Sequence, residues 1–133
     1  MGFRMRLQVF PVLLCLAGGG TAQAQDAALG EKAFIPCKAC HQIGDGATNA
    51  IGPSLNGVIG RKAGTFPGYS YSTANQSSGL TWDEATFRDY IKAPAAKVPG
   101  TKMTYVGIKD DKRITDLLAY LKQFDATGHI VPR

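Results

Sequence analysis

Cys37-Lys38-Ala39-Cys40-His41 is the stretch on which the reading of this chain turns. Two thiols three residues apart fit the two vinyl groups of haem b. Each sulfur adds across one vinyl to form a thioether, and the histidine directly after the second thiol then lies beneath the iron as a ligand. A zinc site would need further Cys or His at ligand spacing, and none follows. A thioredoxin-type pair would need a βαβ context, which the flanking sequence lacks. The expected cofactor is therefore one haem c, bound covalently through Cys37 and Cys40, with His41 on the metal.

The N-terminal residues fit the compartment in which such an attachment is made. Arg4 and Arg6 form a basic region, Leu7 to Ala17 a short apolar run, and Ala22-Gln23-Ala24 a small-x-small cleavage site. Residues 1–24 are thus expected to be a secretory signal peptide, with the mature chain starting at Gln25 and a single domain spanning 25–133. Leu7 to Ala17 falls short of the about 20 apolar residues of a membrane span. No Arg-Arg pair marks the twin-arginine route, and Leu14 stands before Cys15 where a lipoprotein signal has a small residue. The expected destination is the periplasm. Of 15 Lys and Arg, 13 remain after residue 24 against all 10 acids, a formal +3 that excludes the strong basic stripe of a nucleic-acid binder. Cys37 and Cys40 are the cysteines left after cleavage, so no disulfide framework is available.

The remainder reads as helices separated by long loops. Ala27 to Ile35 carries Leu29, Ala33 and Phe34 at helical spacing, with Pro36 expected to stop the helix before the haem motif. Gly30, unfavourable inside a helix by roughly 1 kcal/mol, is expected to admit another helix at close range. From Gln42 to Tyr71, glycines and prolines recur too often for helix or strand, and so long a loop is plausible in a small domain if it packs on a large prosthetic group. Thr81-Trp82-Asp83-Glu84 reads as a capping box, opening a helix through Phe87, Tyr90 and Ile91 that ends before Pro94. Pro99-Gly100 begins a second loop. Asp110 or Asp111 then caps a last helix with Ile114, Leu117, Leu118 and Leu121 on one face, extended by Phe124 and terminated at Gly128.

An iron held by one histidine either takes a second protein ligand or keeps an open site, and that choice separates a carrier from a sensor or an enzyme. After residue 24 the candidates are Met103, in the loop Pro99 to Tyr105, and His129, expected to face solvent in the terminal tail. A lone methionine is ordinarily core filling. With covalent haem present, a methionine in a loop after a Pro-Gly turn is the better candidate for the iron.

The stretches CKACH, GPSLNGVIGRKAG, PGYSYSTAN, LTWDEATFRDYIKAP, VPGTKMTYVGIK and LLAYLKQF cover nearly all of the chain after residue 24. In that order they resemble the class I c-type cytochromes of the mitochondrial cytochrome c and bacterial periplasmic type. The resemblance implies an all-α fold, with three main helices plus short ones and long loops wrapped around one haem. It implies His41 and Met103 as the axial pair, and Pro53 offering its carbonyl to the other nitrogen of His41. It implies that Arg61, Tyr71, Trp82 and Thr101 serve the haem propionates, that Asn75 and Tyr90 form a polar cluster near the methionine, and that Gly30 and Phe34 meet Leu117 and Tyr120. Ala95 and Ala96 depart from the lysines common in mitochondrial members, and Asp110 and Asp111 dilute the basic face.

The function so implied is a soluble periplasmic electron carrier, not an enzyme, cycling one iron between Fe(II) and Fe(III). It is expected to be a monomer with no membrane span and no nucleic-acid partner. Its partners would be redox complexes: a quinol-oxidising complex, a terminal oxidase, a photosynthetic reaction centre or a periplasmic dehydrogenase. Lys38, Lys97 and Lys102 would supply a modest docking rim. The rival readings are a haem protein with an open distal site and a dedicated redox subunit of a periplasmic dehydrogenase.

Overall fold

The computed structural model describes residues 1–2 and 25–132. The expected signal peptide lies, from Phe3 to Ala24, outside them. Five α-helices follow in order: α1 (Ala27–Phe34), α2 (Thr73–Gln76), α3 (Glu84–Lys92), α4 (Pro94–Lys97) and α5 (Asp111–Leu121). Loops make up most of the rest. Among the described residues no strand forms, apart from the single antiparallel bridges Lys62–Thr81 and Phe124–Ile130, and no helix is long and apolar enough to cross a membrane.

α1 starts where Asp26 accepts the N–H groups of Ala28 and Leu29 on its carboxylate, satisfying two of the donors that a helix start leaves free. Its buried face is Gly30, Ala33 and Phe34; Leu29 points outward, 45% exposed, because the neighbouring helix lies on the Gly30 side. Pro36 does not stop the chain from coiling. The helix tightens instead into a 3₁₀ segment, Ile35–Ala39, with proline in its first turn, where the missing N–H costs nothing.

α1 crosses α5 at the point where Gly30 has no side chain. A Cβ there would overlap the carbonyl oxygen of Asp116 and lie 2.7 Å from the Cβ of Tyr120. Phe34 and Tyr120 stack beside the crossing, with ring centroids 5.5 Å apart. The crossing is also tied by polar groups. Asp116, 4% exposed within the otherwise apolar face of α5, accepts the backbone N–H of Asp26 at 3.0 Å and pairs with Lys112. Gly30→Ala is expected to destabilise the protein by about 2–3 kcal/mol, since the obstacle is backbone and cannot rotate away. Thermal unfolding followed by far-ultraviolet circular dichroism should show a midpoint lower by on the order of 10 °C.

α3 is capped by Asp83, whose carboxylate accepts the N–H of Thr86 at 2.8 Å, so the helix begins two residues later than a box opening at Thr81 would place it. Thr81 is engaged elsewhere, in the bridge to Lys62. On α5 Asp110 is the N-cap, and Ile114, Leu117, Leu118 and Leu121 are each at most 2% exposed. The helix ends at Leu121 with Lys122 as its cap. Gly128 does not terminate it; it lies in a separate turn, at φ +90°. Ion pairs tie the helix ends together, Lys92 with Asp111 at 2.7 Å and Glu84 with Lys122.

Candidate haem site

A cavity of about 440 Å³ opens between the long loops and helices α1, α3 and α5. Cys37, Cys40, His41, Pro53, Arg61, Tyr71, Trp82, Thr101 and Met103, the full set singled out from the sequence, all line it, with Asn75 and Tyr90 among their neighbours. Phe87, Ile91, Leu117 and Leu121 make much of the remaining wall apolar.

The 3₁₀ segment presents the motif. Cys37 lies in it and Cys40 caps it, and the N–H groups of Cys40 and His41 both bond the carbonyl of Cys37, at 3.1 and 2.9 Å, so the two thiols and the imidazole are held in one tight turn. Neither thiol is in a disulfide, and burial pushes the Cys37 thiol up. His41 packs flat on Gly52, where any Cβ would run into the ring. Its Nδ1 lies 2.8 Å from the Pro53 carbonyl, which accepts a hydrogen bond from it and leaves Nε2 as the free nitrogen. Burial lowers the histidine's proton affinity, the Pro53 bond opposes this, and the charge of Arg61 lowers it further. The favoured state is the neutral ring, which is the form that ligates metals.

Across the cavity wall, the Met103 loop is fixed at several points. The Thr101 hydroxyl accepts the Met103 N–H at 3.2 Å, and the Tyr90 hydroxyl donates to Met103 Sδ at 3.1 Å. Tyr90 is 7% exposed and stacks on Trp82 at 4.7 Å between centroids; its burial raises the phenol further, so it stays a donor. Lys102 donates to the Ser70 carbonyl at 2.8 Å, pinning the same loop to the other rim. Arg61 donates to the carbonyls of Asn56 and Ser54 at 3.0 and 3.1 Å, with its guanidinium 4.8 Å from the centre of the Phe66 ring. Tyr71 accepts the Phe66 N–H at 3.0 Å, which leaves its own proton to donate. His129 is exposed, its Nδ1 2.7 Å from Thr127 Oγ1, and it does not line the cavity.

Three contributors were not read from the sequence as site residues. Gly52 forms the floor under His41, Tyr69 stacks edge-on to Tyr71 at 4.8 Å, and Ile51, 75% exposed, stands at the rim. The glycine directly before Pro53 was the available signal, because a residue adjoining an acceptor for His41 has to let the ring approach.

The donor set suits a flat, largely apolar macrocycle carrying a metal and two acidic groups. Two thiols, an imidazole with one nitrogen free, a thioether and the Arg61, Tyr71, Trp82 and Thr101 donors all meet an apolar wall. Asn75 Oδ1, buried with no hydrogen-bond partner among the described residues, is the kind of acceptor that an added group or water completes.

This fold and this cavity are those of a haem-binding electron carrier, and the cytochrome c family profile matches residues 27–125. The chain belongs to the cytochrome c family. It is 52% identical over 124 residues to cytochrome c2 of Blastochloris viridis, covering 93% of this chain and 98% of that one. Cytochrome c-550 of Bradyrhizobium diazoefficiens is 59% identical over 104 residues, 78% of this chain and 76% of the relative. The solved structure of cytochrome cH from Methylobacterium extorquens matches with a TM-score of 0.69 at 52% identity, over 74% of this chain and 98% of that chain. The protein is an electron-transfer protein, not an enzyme, and binds one haem c covalently through Cys37 and Cys40.

Proposed function

We propose that residues 25–133 form a soluble periplasmic carrier, released from a signal peptide of residues 1–24, in which His41 and Met103 are the two axial ligands of the haem iron. When bound, the haem supplies one-electron exchange between Fe(II) and Fe(III). The observation that carries the reading is the shared cavity: His41 is tethered through Nδ1 so that Nε2 is free, and Met103 sulfur is held by the Tyr90 hydroxyl. Pro53 orients the imidazole and makes it a better electron donor. Met103 offers a soft thioether, which favours ferrous iron and a high potential. Arg61, Tyr71, Trp82 and Thr101 supply donors for the two propionates, whose charge could not be buried unpaired. The apolar wall excludes water and disfavours the extra charge of the ferric state. Were His41 and Met103 both to hold the iron, oxygen would have no position left to bind.

Lys38, Lys97 and Lys102 are exposed and form the proposed docking rim. Lys97 also pairs with Asp89 at 3.5 Å. The partner classes are a quinol-oxidising complex, a terminal oxidase, a photosynthetic reaction centre or a periplasmic dehydrogenase. Stopped-flow reduction of the purified protein by one candidate complex and oxidation by another tests the carrier reading. Rapid carbon monoxide binding to the ferrous protein at neutral pH would instead assign it an open distal site.

Tyr90→Phe tests the distal side. The hydroxyl withdraws electron density from the sulfur, so its loss strengthens sulfur donation and stabilises ferric iron. At about 1 kcal/mol for one hydrogen bond, the midpoint potential should fall by on the order of 40 mV. A redox titration with an unchanged midpoint would show that this bond does not tune the iron.

A further inference from the structure

The chain beyond α5 folds back on itself. Phe124 bridges Ile130, the Val131 N–H donates to the Gln123 carbonyl at 2.9 Å, and the Asp125 N–H donates to the His129 carbonyl at 3.0 Å. One oxygen of Asp125, Oδ1, accepts from the Thr127 N–H, the Thr127 hydroxyl and the His129 N–H, at 2.8, 2.7 and 3.1 Å. The turn is therefore fixed by its own bonds. It also presses on another loop with no side chain in between. A Cβ on Gly128 would overlap the Gly44 carbonyl and lie 2.6 Å from Asn56 Nδ2, and a Cβ on Gly57 would lie 2.9 Å from both N and Cα of Ala126.

The loop so pressed contains Pro53. Residues 52–56 are laced on their other side to residues 40–44: Gly52 N–H to the Cys40 carbonyl at 2.7 Å and Leu55 N–H to the Gln42 carbonyl at 2.9 Å. Asn56, 4% exposed, clamps Gly44 twice, accepting its N–H at 2.7 Å and donating to its carbonyl at 3.0 Å. Pro53 sits within this segment, three and four residues before the Asn56 and Gly57 that meet the C-terminal turn, with its carbonyl 2.8 Å from His41 Nδ1.

We propose that the turn Asp125–Ile130 is a positioning element for His41: by bracing Gly44, Asn56 and Gly57 it keeps the Pro53 carbonyl on the ring N–H. The inference rests on the reading of His41 as an iron ligand. A ring N–H that donates to a carbonyl makes the opposite nitrogen more basic, which favours ferric iron. Releasing the turn weakens that bond, so the midpoint potential rises and the Nδ1 proton meets solvent more often.

The test uses the holo-protein and two variants that release the turn in different ways. Gly128→Ala drives it off Gly44, and Asp125→Ala removes its three internal bonds. Ile114→Val, a core change on α5 outside the cavity lining, controls for general loss of stability. Proton NMR of the ferric protein reads exchange of the His41 Nδ1 proton, with each protein held equally far below its own melting temperature, and a redox titration reads the midpoint. Both turn variants should exchange about tenfold faster than the control, a local opening and not a global one. Both should have a raised midpoint, and Asp125→Asn, which keeps an acceptor oxygen, should return both readouts towards wild type. Exchange and midpoint that track the Ile114→Val control would overturn the proposal. Should Gly128→Ala fail to accumulate, the Asp125 pair decides by itself. Absence of any paramagnetically shifted His41 ring signal in the wild type would overturn the ligand reading, and this inference with it; a shifted signal that the turn variants leave unmoved overturns the turn's role alone.

Discussion

Met103→Ala is expected to retain covalent haem, bind carbon monoxide rapidly in the ferrous state, and show a midpoint potential lower by about 0.2 V, within the roughly 0.8 V range that axial ligands command. Cys37, Cys40 and His41 are untouched, so attachment survives. What disappears is the soft sulfur that favours ferrous iron. The Tyr90 hydroxyl, bonded to that sulfur at 3.1 Å in the wild type, then loses its acceptor in a buried setting. An unmet buried hydroxyl costs about 1–3 kcal/mol, and the vacated side-chain volume adds to it, so the melting temperature falls as well. A variant that keeps a low-spin ferric spectrum and the wild-type potential would show that Met103 is not on the iron.

Replacing both thiols, Cys37→Ser with Cys40→Ser, is expected to remove the folded protein altogether. The cavity of about 440 Å³ is walled by Trp82, Phe87, Ile91, Leu117 and Leu121, which are also core-facing side chains of α3, α5 and the segment just before α3. Without haem these groups lose the surface they pack against, and the wall would close on itself. Collapse would drag with it loops that have few apolar side chains of their own. A native protein has only about 5–15 kcal/mol to lose, and a chain this small buries a limited share of its surface. A group bound only to the native state contributes its binding free energy to folding. The double variant should fail to accumulate as folded protein, and chain refolded without haem should lack a cooperative melt in circular dichroism. Recovery of an apo-protein with such a melt would contradict this.

Local chemistry made much of the framework readable. The Leu117, Leu118 and Leu121 face of α5, the stop before Pro94 and the close approach at Gly30 follow from side-chain period, a missing N–H and a missing Cβ, and each holds in the structure. The errors cluster where a local signal competes with a distant partner. Thr81 and Glu84 have capping-box spacing, but Thr81 is drawn into the bridge with Lys62, and Asp83 takes the cap. Leu29 fits the helical period yet points to solvent, because α5 approaches on the side opened by Gly30. Gly128 looked like a helix stop and instead serves a contact with Gly44.

The sequence by itself determined the haem attachment through Cys37 and Cys40, which rests on residue type and on spacing within a few positions, and it singled out His41 and Met103 as the candidate ligands. Tertiary structure alone decided that Asp116 ties the start of α1 to α5, and that Tyr90 on α3 reaches the sulfur of Met103. It alone decided that a turn after α5 braces the loop carrying Pro53. Each of these joins residues far apart in the chain through a directional bond or a backbone contact. Such contacts depend on where whole elements come to rest, which no pattern within one element encodes.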